Sequence, residues 1–253
     1  MSFSPKEVER YARHLVLREI GGPGQQALKR ARILIVGVGG LGCPAALYLA
    51  AAGVGRLGLV DPDTVSLSNL QRQGLFATED EGLAKVDAAA AALRRLNPHV
   101  DIGAHAVEFT SANAAELVAG HDIVLDGTDD FATRFLLNAA CVAAKRPLVT
   151  GALGRWTGQV AVFEGRPCYR CLMPEIPPDI ETCAAVGVIG ALAGVIGSMM
   201  ALEAVKLLTG AGEPLAGRLL ILDGLAAESR TVTVGADAAC PVCGEDVKPE
   251  ADG

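Results

Sequence analysis

The sequence predicts an α/β fold, a Rossmann-like doubly wound and mostly parallel sheet with antiparallel strands toward the C-terminus. Three features carry that expectation: apolar runs alternating with helical patterns, a glycine-rich turn at Gly37-Val38-Gly39-Gly40-Leu41-Gly42, and a carboxylate, Asp61, ending the next strand. Ser4-Pro5-Lys6-Glu7 reads as a capping box with proline at the first helical position, and Val8, Tyr11, Ala12 and Leu15 repeat at helical spacing. Gly21, Gly22 and Gly24 are expected to break that opening helix. Strands are predicted near 32–37, 57–61, 101–107, 121–126, 147–151 and 158–163, with helices near 41–52, 83–96, 112–119 and 131–144 between the earlier ones. Residues 165–183 are rich in Pro and Cys and read as a loop, followed by an apolar helix to about Leu208 and strands near 218–223 and 230–234. No repeat or linker interrupts the pattern. A single domain over 1–253 is expected, with a helical arm at 4–30 and a C-terminal tail at 240–253.

With 253 residues, 51% hydrophobic, and only 30 Gly and 13 Pro, the chain is excluded from the disordered and collagenous classes. Its net charge of −7, with no run of Lys or Arg, argues against nucleic acid as a principal partner. Seven cysteines in a chain of this length do not form a disulfide scaffold, and MSFSPKEVER is too charged for a secretory leader, so a reducing cytoplasm is expected. Cys183 to Leu202 is an uncharged stretch of 20 residues that could span a bilayer by hydropathy alone. It is the only such stretch, and Glu203 and Lys206 continue its helical pattern. A buried core or subunit-interface helix is the better reading, with no membrane partner.

In the glycine turn, the first glycine permits the bend, the second lets backbone amides approach phosphate, and the third allows close helix packing. Asp61 stands 19 residues after Gly42, where a carboxylate can accept ribose hydroxyls. These two features alone also suit NAD. The polar stretch that follows does not: Asp63, Asn69, Arg72 and Gln73 leave the carboxyl end of the second strand, and Lys85 falls in the first turn of the next predicted helix. Arg72 with Lys85 suits a triphosphate better than a dinucleotide pyrophosphate, and the absence of GxxxxGK[ST] excludes a P-loop. Asp126, Asp129 and Asp130 cluster after the run Ile123-Val124-Leu125, where a carboxylate can hold phosphate-bound magnesium. Asp130 also suits the N-cap of the helix beginning at Phe131. Cys168-Tyr169-Arg170-Cys171 and Cys240-Pro241-Val242-Cys243 are two CxxC pairs whose four thiolates would complete a closed, structural zinc site clipping the tail onto the 165–183 loop.

RYARHLVL, GQQALKRARILIVGVGGLGCPAALYLAAAGVG, DPDTVSLSNLQRQ, GLAKV, LDGTDD, the two CxxC pairs and Cys183 together resemble the MoeB/ThiF/HesA adenylyltransferases, bacterial relatives of the ubiquitin-activating enzymes. The resemblance runs from about residue 8 to 244. It implies ATP- and magnesium-dependent adenylation of the C-terminal glycine carboxylate of a small ubiquitin-fold sulfur carrier protein ending in Gly-Gly, by a homodimer. It implies that Gly39, Gly40 and Asp61 hold the nucleotide, that Asn69, Arg72 and Lys85 handle its phosphates, and that Asp129 holds magnesium. Arg13 would reach the ATP of the neighbouring subunit, and from the residues alone it lies off the stripe of Val8, Tyr11 and Leu15, so packing does not account for it. Family members often carry Asn where this chain has Asp130.

A C-terminal carboxylate, with a pKa near about 3.5, is already ionised at neutral pH and needs no general base. His14, His99, His105 and His121 show no metal spacing and are assigned no catalytic role. Cys183 has two readings, a small buried hydrophobe beside Ala184 and Ala185 or a nucleophile that captures the activated carrier, and the first is the ordinary one. With ten residues after Cys243, the sulfur donor is expected to be a separate protein. Competing functional classes are an NAD-dependent oxidoreductase, which the glycine turn and Asp61 would also serve, and a non-catalytic nucleotide-binding dimer, against which Arg72, Lys85 and Asp129 together speak.

Overall fold

The computed structural model describes residues 3–176 and 187–245. An arm of α1 (Pro5–Arg10), α2 (Ala12–Leu15) and α3 (Gly21–Arg30) leads into β1 (Arg32–Val36), α4 (Gly42–Ala52) and β2 (Arg56–Val60). Then come α5 (Lys85–Leu96), β3 (Asp101–His105), α6 (Ala114–Ala119), β4 (Ile123–Asp126), α7 (Phe131–Ala143), β5 (Leu148–Leu153) and β6 (Thr157–Phe163). α8 (Tyr169–Leu172), α9 (Gly190–Thr209) and the hairpin β7 (Arg218–Asp223) and β8 (Glu228–Thr233) complete the chain. One sheet of order β3-β2-β1-β4-β5-β6-β7-β8 results. It is parallel from β3 to β5 and antiparallel from β5 to β8, as the alternation and the C-terminal strands predicted.

The apolar runs of the central strands are continuous because both faces of the sheet are covered. Ile33, Ile35, Leu57, Leu59 and Leu125 pack beneath α4, α5 and α9, whereas Leu34, Val36, Val60 and Val124 pack under α6 and α7. The strand order reverses between β1 and β4. A crevice at the carboxyl ends of these strands is where open α/β sheets take ligands.

α9 is the long apolar stretch, and its place explains its composition. Leu192, Ala193, Ile196, Met200 and Ala204 are buried in the core it shares with α4, β5 and β6. Glu203 is also buried, accepting a 2.7 Å hydrogen bond from the Leu215 amide and pairing with Lys206. Val195 and Leu202 remain about half exposed. This is a core helix with one apolar edge left exposed among the described residues.

Several expectations need correction. Gly21, Gly22 and Gly24 do not end helical structure: Gly21, with φ +54°, turns the chain into α3. The opening helix divides at Tyr11, and its stripe is buried only there, for Val8 is 46% exposed. β3 stops at His105 because its partner β2 stops at Val60. β4 starts at Ile123 because His121 turns its Nδ1 to the Leu117 carbonyl of α6, 2.7 Å away, and Asp122 accepts the Arg32 amide. The 165–183 segment contains the short α8, and α9 begins at Gly190 instead of 183, after Gly187 at φ +74°. Residues 177–186, Cys183 among them, and 246–253 of the tail lie outside the described residues.

The arm is fastened by Leu28 in the core, by the buried Tyr11 and by polar contacts, while Val8 of its stripe stays outside. The Ser4–Glu7 capping box is present, with the Ser4 amide donating to Glu7 Oε2 at 2.8 Å and the Glu7 amide donating to Ser4 Oγ at 3.3 Å. Lys29 Nζ of α3 donates to Glu7 Oε1 at 2.6 Å. Asn97 Nδ2 bridges the Tyr11 hydroxyl (2.9 Å) and the Ala50 carbonyl (2.7 Å), while Gln25 joins His14 Nδ1 (2.9 Å) to the Ala52 carbonyl (2.7 Å). Together these pin the arm to the carboxyl end of α4.

The Lys29 hydrogen bond, with those of Ser4, outweighs burial and holds the Glu7 carboxyl at about 2, well below its ordinary 4.5. A depressed folded-state pKa stabilises above the unfolded value and is lost as pH falls toward the folded one. Stability should therefore decline between pH 4.5 and about 2 in a component that Glu7→Gln abolishes. At pH 7 the same substitution should lower the melting temperature by about 2–4 °C, the shift expected for a loss of about 1 kcal/mol. Thermal melts of both proteins across this pH range check it.

Candidate functional site

The turn between β1 and α4 is dictated by backbone contact. Gly37 has φ +86°, and a Cβ on it would stand 2.8 Å from the Gly127 carbonyl, while a Cβ on Gly42 would collide with the Gly37 carbonyl oxygen. The turn is thus pressed against the loop leaving β4, and the amides at the start of α4 sit at the positive end of its dipole. Asp61 ends β2 beside it. Its Oδ2 accepts the Val38 amide at 2.7 Å and its Oδ1 the Asp63 amide at 2.9 Å. A carboxylate has about four lone-pair sites, so acceptor capacity remains for a ligand hydroxyl.

Lys85 opens α5 as predicted, but its ammonium is folded inward. It lies 2.7 Å from Asp63 Oδ2 and 3.9 Å from Asp61 Oδ1, with only 7% of its side chain exposed. Burial raises the Asp61 pKa, opposed by the Asp63 amide and then by Lys85. Asp63 is 66% exposed, so the Lys85–Asp63 contact is the more easily exchanged. Arg72 lays its stem over Gly40, with its Cδ 3.6 Å from where a Cβ would be, and donates from Nη1 to the Ser68 carbonyl at 3.1 Å. Gln73 is buried with its Nε2 facing Gly39, and its Oε1 has no hydrogen-bond partner. An orphaned buried oxygen beside a phosphate-type turn fits a ligand that supplies a donor. Asn69 is half-buried on the same 310 turn.

The acidic cluster separates into three roles. Asp126 is fully buried, and both its oxygens are used: Oδ1 accepts from the Thr128 amide (3.0 Å) and hydroxyl (2.7 Å), and Oδ2 from Thr150 Oγ1 (2.7 Å). Arg134 Nε also stands 2.8 Å from Asp126 Oδ2. Asp130 caps α7 through the Thr133 amide at 2.7 Å, and that hydrogen bond lowers its pKa. Asp129 is exposed on the loop pressed against the glycine turn. It is the member whose carboxylate accepts no hydrogen bond among the described residues, and a hard oxygen donor there fits a magnesium ion that keeps most of its waters.

Sequence reasoning missed Arg134, Thr150 and Asn138. The signal was present: Arg134 is the lone charge in the FATRFLLNAACVA stretch of α7, where a solvated face would carry several. Asn138, one turn on, accepts the Tyr169 amide at 2.8 Å and donates to Cys168 Sγ at 3.4 Å.

The four predicted cysteine ligands converge. Their sulfurs lie within 4.8 Å of one another, with Cys168–Cys240 at 3.7 Å and Cys171–Cys243 at 3.4 Å. A tetrahedral zinc with Zn–S bonds of about 2.3 Å separates its sulfurs by about 3.8 Å, so the donor set fits. Burial, then the neighbouring thiols, push the Cys243 pKa up. Arg13, by contrast, is not brought to the glycine turn. It is exposed on the arm, which is fastened at the carboxyl end of α4, whereas the turn lies at the amino end, about 16 Å away along 11 residues of helix.

A family model described as ThiF family matches residues 11–242. The sulfur carrier protein adenylyltransferase of Thermus thermophilus is 48% identical over 97% of this chain and 94% of its own. The molybdopterin-synthase adenylyltransferase of Escherichia coli is 48% identical over 96% of this chain and 98% of its own. Among solved structures, E. coli MccB superposes with a TM-score of 0.83 at 21% identity, covering 93% of this chain and 75% of that one, and shares the fold.

The two glycine environments differ enough to be told apart by alanine. Gly42→Ala forces the turn open and should destabilise the protein by about 2–3 kcal/mol while weakening nucleotide binding. At Gly39 the added methyl would meet only Gln73 Nε2, at an ordinary 3.6 Å. Gly39→Ala should stay within about 1 kcal/mol of the parent. Urea unfolding of the two variants, with ATP binding measured alongside, checks the contrast.

Proposed function

Because this chain belongs to the ThiF family, we propose that it adenylates the C-terminal glycine carboxylate of a small ubiquitin-fold sulfur carrier protein, using ATP and releasing pyrophosphate. The observation that carries the reading is the convergence, at the carboxyl ends of β1, β2 and β4, of the glycine turn, the buried Asp61–Lys85 pair, Arg72 and the Asp129 loop. A carboxylate oxygen of the carrier attacks the α-phosphorus, a P–O bond forms, and the bond to the β-phosphate bridging oxygen breaks. No proton is transferred, so the histidines need no part in it. The demand is instead to hold two anions together and to neutralise charge on the departing pyrophosphate.

Gly37, Gly39, Gly40, Gly42, Asp61, Asp63, Asn69 and Gln73 form the nucleotide bed in this reading. Arg72 and Lys85 take the phosphates, Lys85 exchanging the exposed Asp63 for phosphate oxygen while Asp61 keeps its ammonium in place. Asp129 holds the magnesium ion, which supplies charge neutralisation to the phosphates. The partner subunit's Arg13 completes the phosphate set in a homodimer. That assignment is supported by the placement of Arg13 away from its own glycine turn and by the half-exposed Val8, Leu17, Tyr48 and Leu202. Cys168, Cys171, Cys240 and Cys243 hold a structural zinc, as befits a closed four-thiolate set in a reducing cytoplasm. Cys183 is not required for adenylation, whose nucleophile is the carrier carboxylate.

Removing either phosphate cation should cost transition-state charge stabilisation. Lys85→Ala or Arg72→Ala is expected to lower ATP–pyrophosphate exchange by about 100-fold or more in the presence of a Gly-Gly-ended carrier. Near-normal exchange in both would sink the assignment. Running the same exchange with candidate carriers one at a time identifies the substrate.

The zinc assignment predicts about one zinc per chain in protein purified without chelators, lost from Cys171→Ser together with protection of the tail from proteolysis. Elemental analysis reads the first outcome and limited proteolysis the second. Metal-free wild-type protein with an intact tail would overturn it.

A further inference from the structure

We propose that Arg134, with its partner Asp126, is a positioning residue that fixes the loop carrying Asp129, and so sets the protein's affinity for the magnesium that accompanies ATP. The inference rests on Asp129 as the magnesium carboxylate. Arg134 lies in the first turn of α7 with 7% of its side chain exposed. Its Nε faces Asp126 Oδ2 at 2.8 Å, and its Nη2 donates to the carbonyls of Thr128 (2.7 Å) and Gly151 (2.9 Å). Its guanidinium carbon lies 5.5 Å from the Tyr169 ring centroid and 5.7 Å from that of Phe131. One side chain thereby ties the carboxyl ends of β4 and β5 to the start of α7.

The effect concentrates on Thr128. Its amide and hydroxyl both donate to Asp126, and its carbonyl accepts from Arg134, so every polar group of the residue before Asp129 is engaged. On the other side, Asp130 is held as the N-cap of α7. Asp129 stands between two anchored residues, with its carboxylate free of hydrogen bonds among the described residues and within electrostatic reach of Arg134. The same contacts account for the division of labour among the acids. Asp126 stands fully buried at the strand end, its oxygens accepting from Thr128 and Thr150 with the Arg134 guanidinium set against Oδ2, so it is enclosed by protein and does not face a ligand. Asp129 therefore meets the cation alone, and its geometry depends on the clasp behind it. Lysine is an incomplete substitute here, since one ammonium could reach the Thr128 and Gly151 carbonyls as Nη2 does but would leave no second nitrogen beside Asp126.

Equilibrium binding of radiolabelled ATP, without carrier, at graded free magnesium tests this. Arg134→Met should raise the magnesium concentration for half-maximal tightening by about tenfold or more, with magnesium-free ATP affinity changed by less than about twofold. Arg134→Lys should shift it in the same direction by less, and it carries the test alone if Arg134→Met does not fold. Asp129→Asn is the reference. A lowered melting temperature in both Arg134 variants with an unmoved magnesium curve would show a purely structural clasp and overturn the proposal. A curve shifted by Asp129→Asn but by neither Arg134 variant overturns this proposal alone. A curve unmoved by Asp129→Asn overturns the magnesium reading and this one with it.

Discussion

The approach of three glycine backbones at the switch point of the sheet is the contact on which the site depends. Gly37, Gly42 and Gly127 meet at distances that leave no room for a Cβ, and this holds the β1–α4 turn against the loop after β4. Without that approach the amides at the head of α4 and the carboxylate of Asp129 would belong to separate strand ends. With it, the turn and the loop carrying the exposed Asp129 lie side by side, and the parallel strands behind them are fixed by registers such as Val36 with Val60 and Asp126.

Among the described residues, buried carboxylates are paired with cations. Asp61 is placed with Lys85, Asp126 with Arg134, and Glu203 with Lys206, and in each case backbone or hydroxyl donors satisfy further carboxylate oxygens. A buried ion with one partner missing is costly, so these pairs hold their neighbours in place. Two of them work at the crevice in different ways. Lys85 is near the surface end and shares itself with an exposed aspartate, which suits a cation that must change partners. Arg134 is enclosed by protein acceptors and suits a support.

The arm and α9 show a second theme, apolar surface held in place but not covered. Tyr11 is anchored through Asn97 and His14 through Gln25, yet Val8, Val16 and Leu17 face outward, as do Val195 and Leu202 of α9. Polar anchoring of an arm whose apolar residues point away from its own core is what a subunit contact requires. It also explains why hydropathy overstates the burial of α9: among the described residues, its edge at Val195 and Leu202 stays about half exposed.

The local code of this protein is strong, and much was legible from it. Uninterrupted apolar runs such as RILIV, the glycine turn, Asp61, the position of Lys85 at a helix start and two CxxC pairs each depend on near neighbours in sequence, and each stands where it was expected. Element ends were less legible. β3 and β4 stop and start where a neighbouring strand or a side chain such as His121 permits, which no local window contains. Least legible was the sorting of the acids, because Asp126, Asp129 and Asp130 are alike as residues and differ only in what the fold sets against them. Composition and spacing by themselves determined the class of fold, the glycine turn between β1 and α4, and the thiolate set. The inward turn of Lys85, the separation of Arg13 from its own turn and the clasp of Arg134 on Asp126 came from tertiary contact, since burial and partnership are properties of space and not of sequence position.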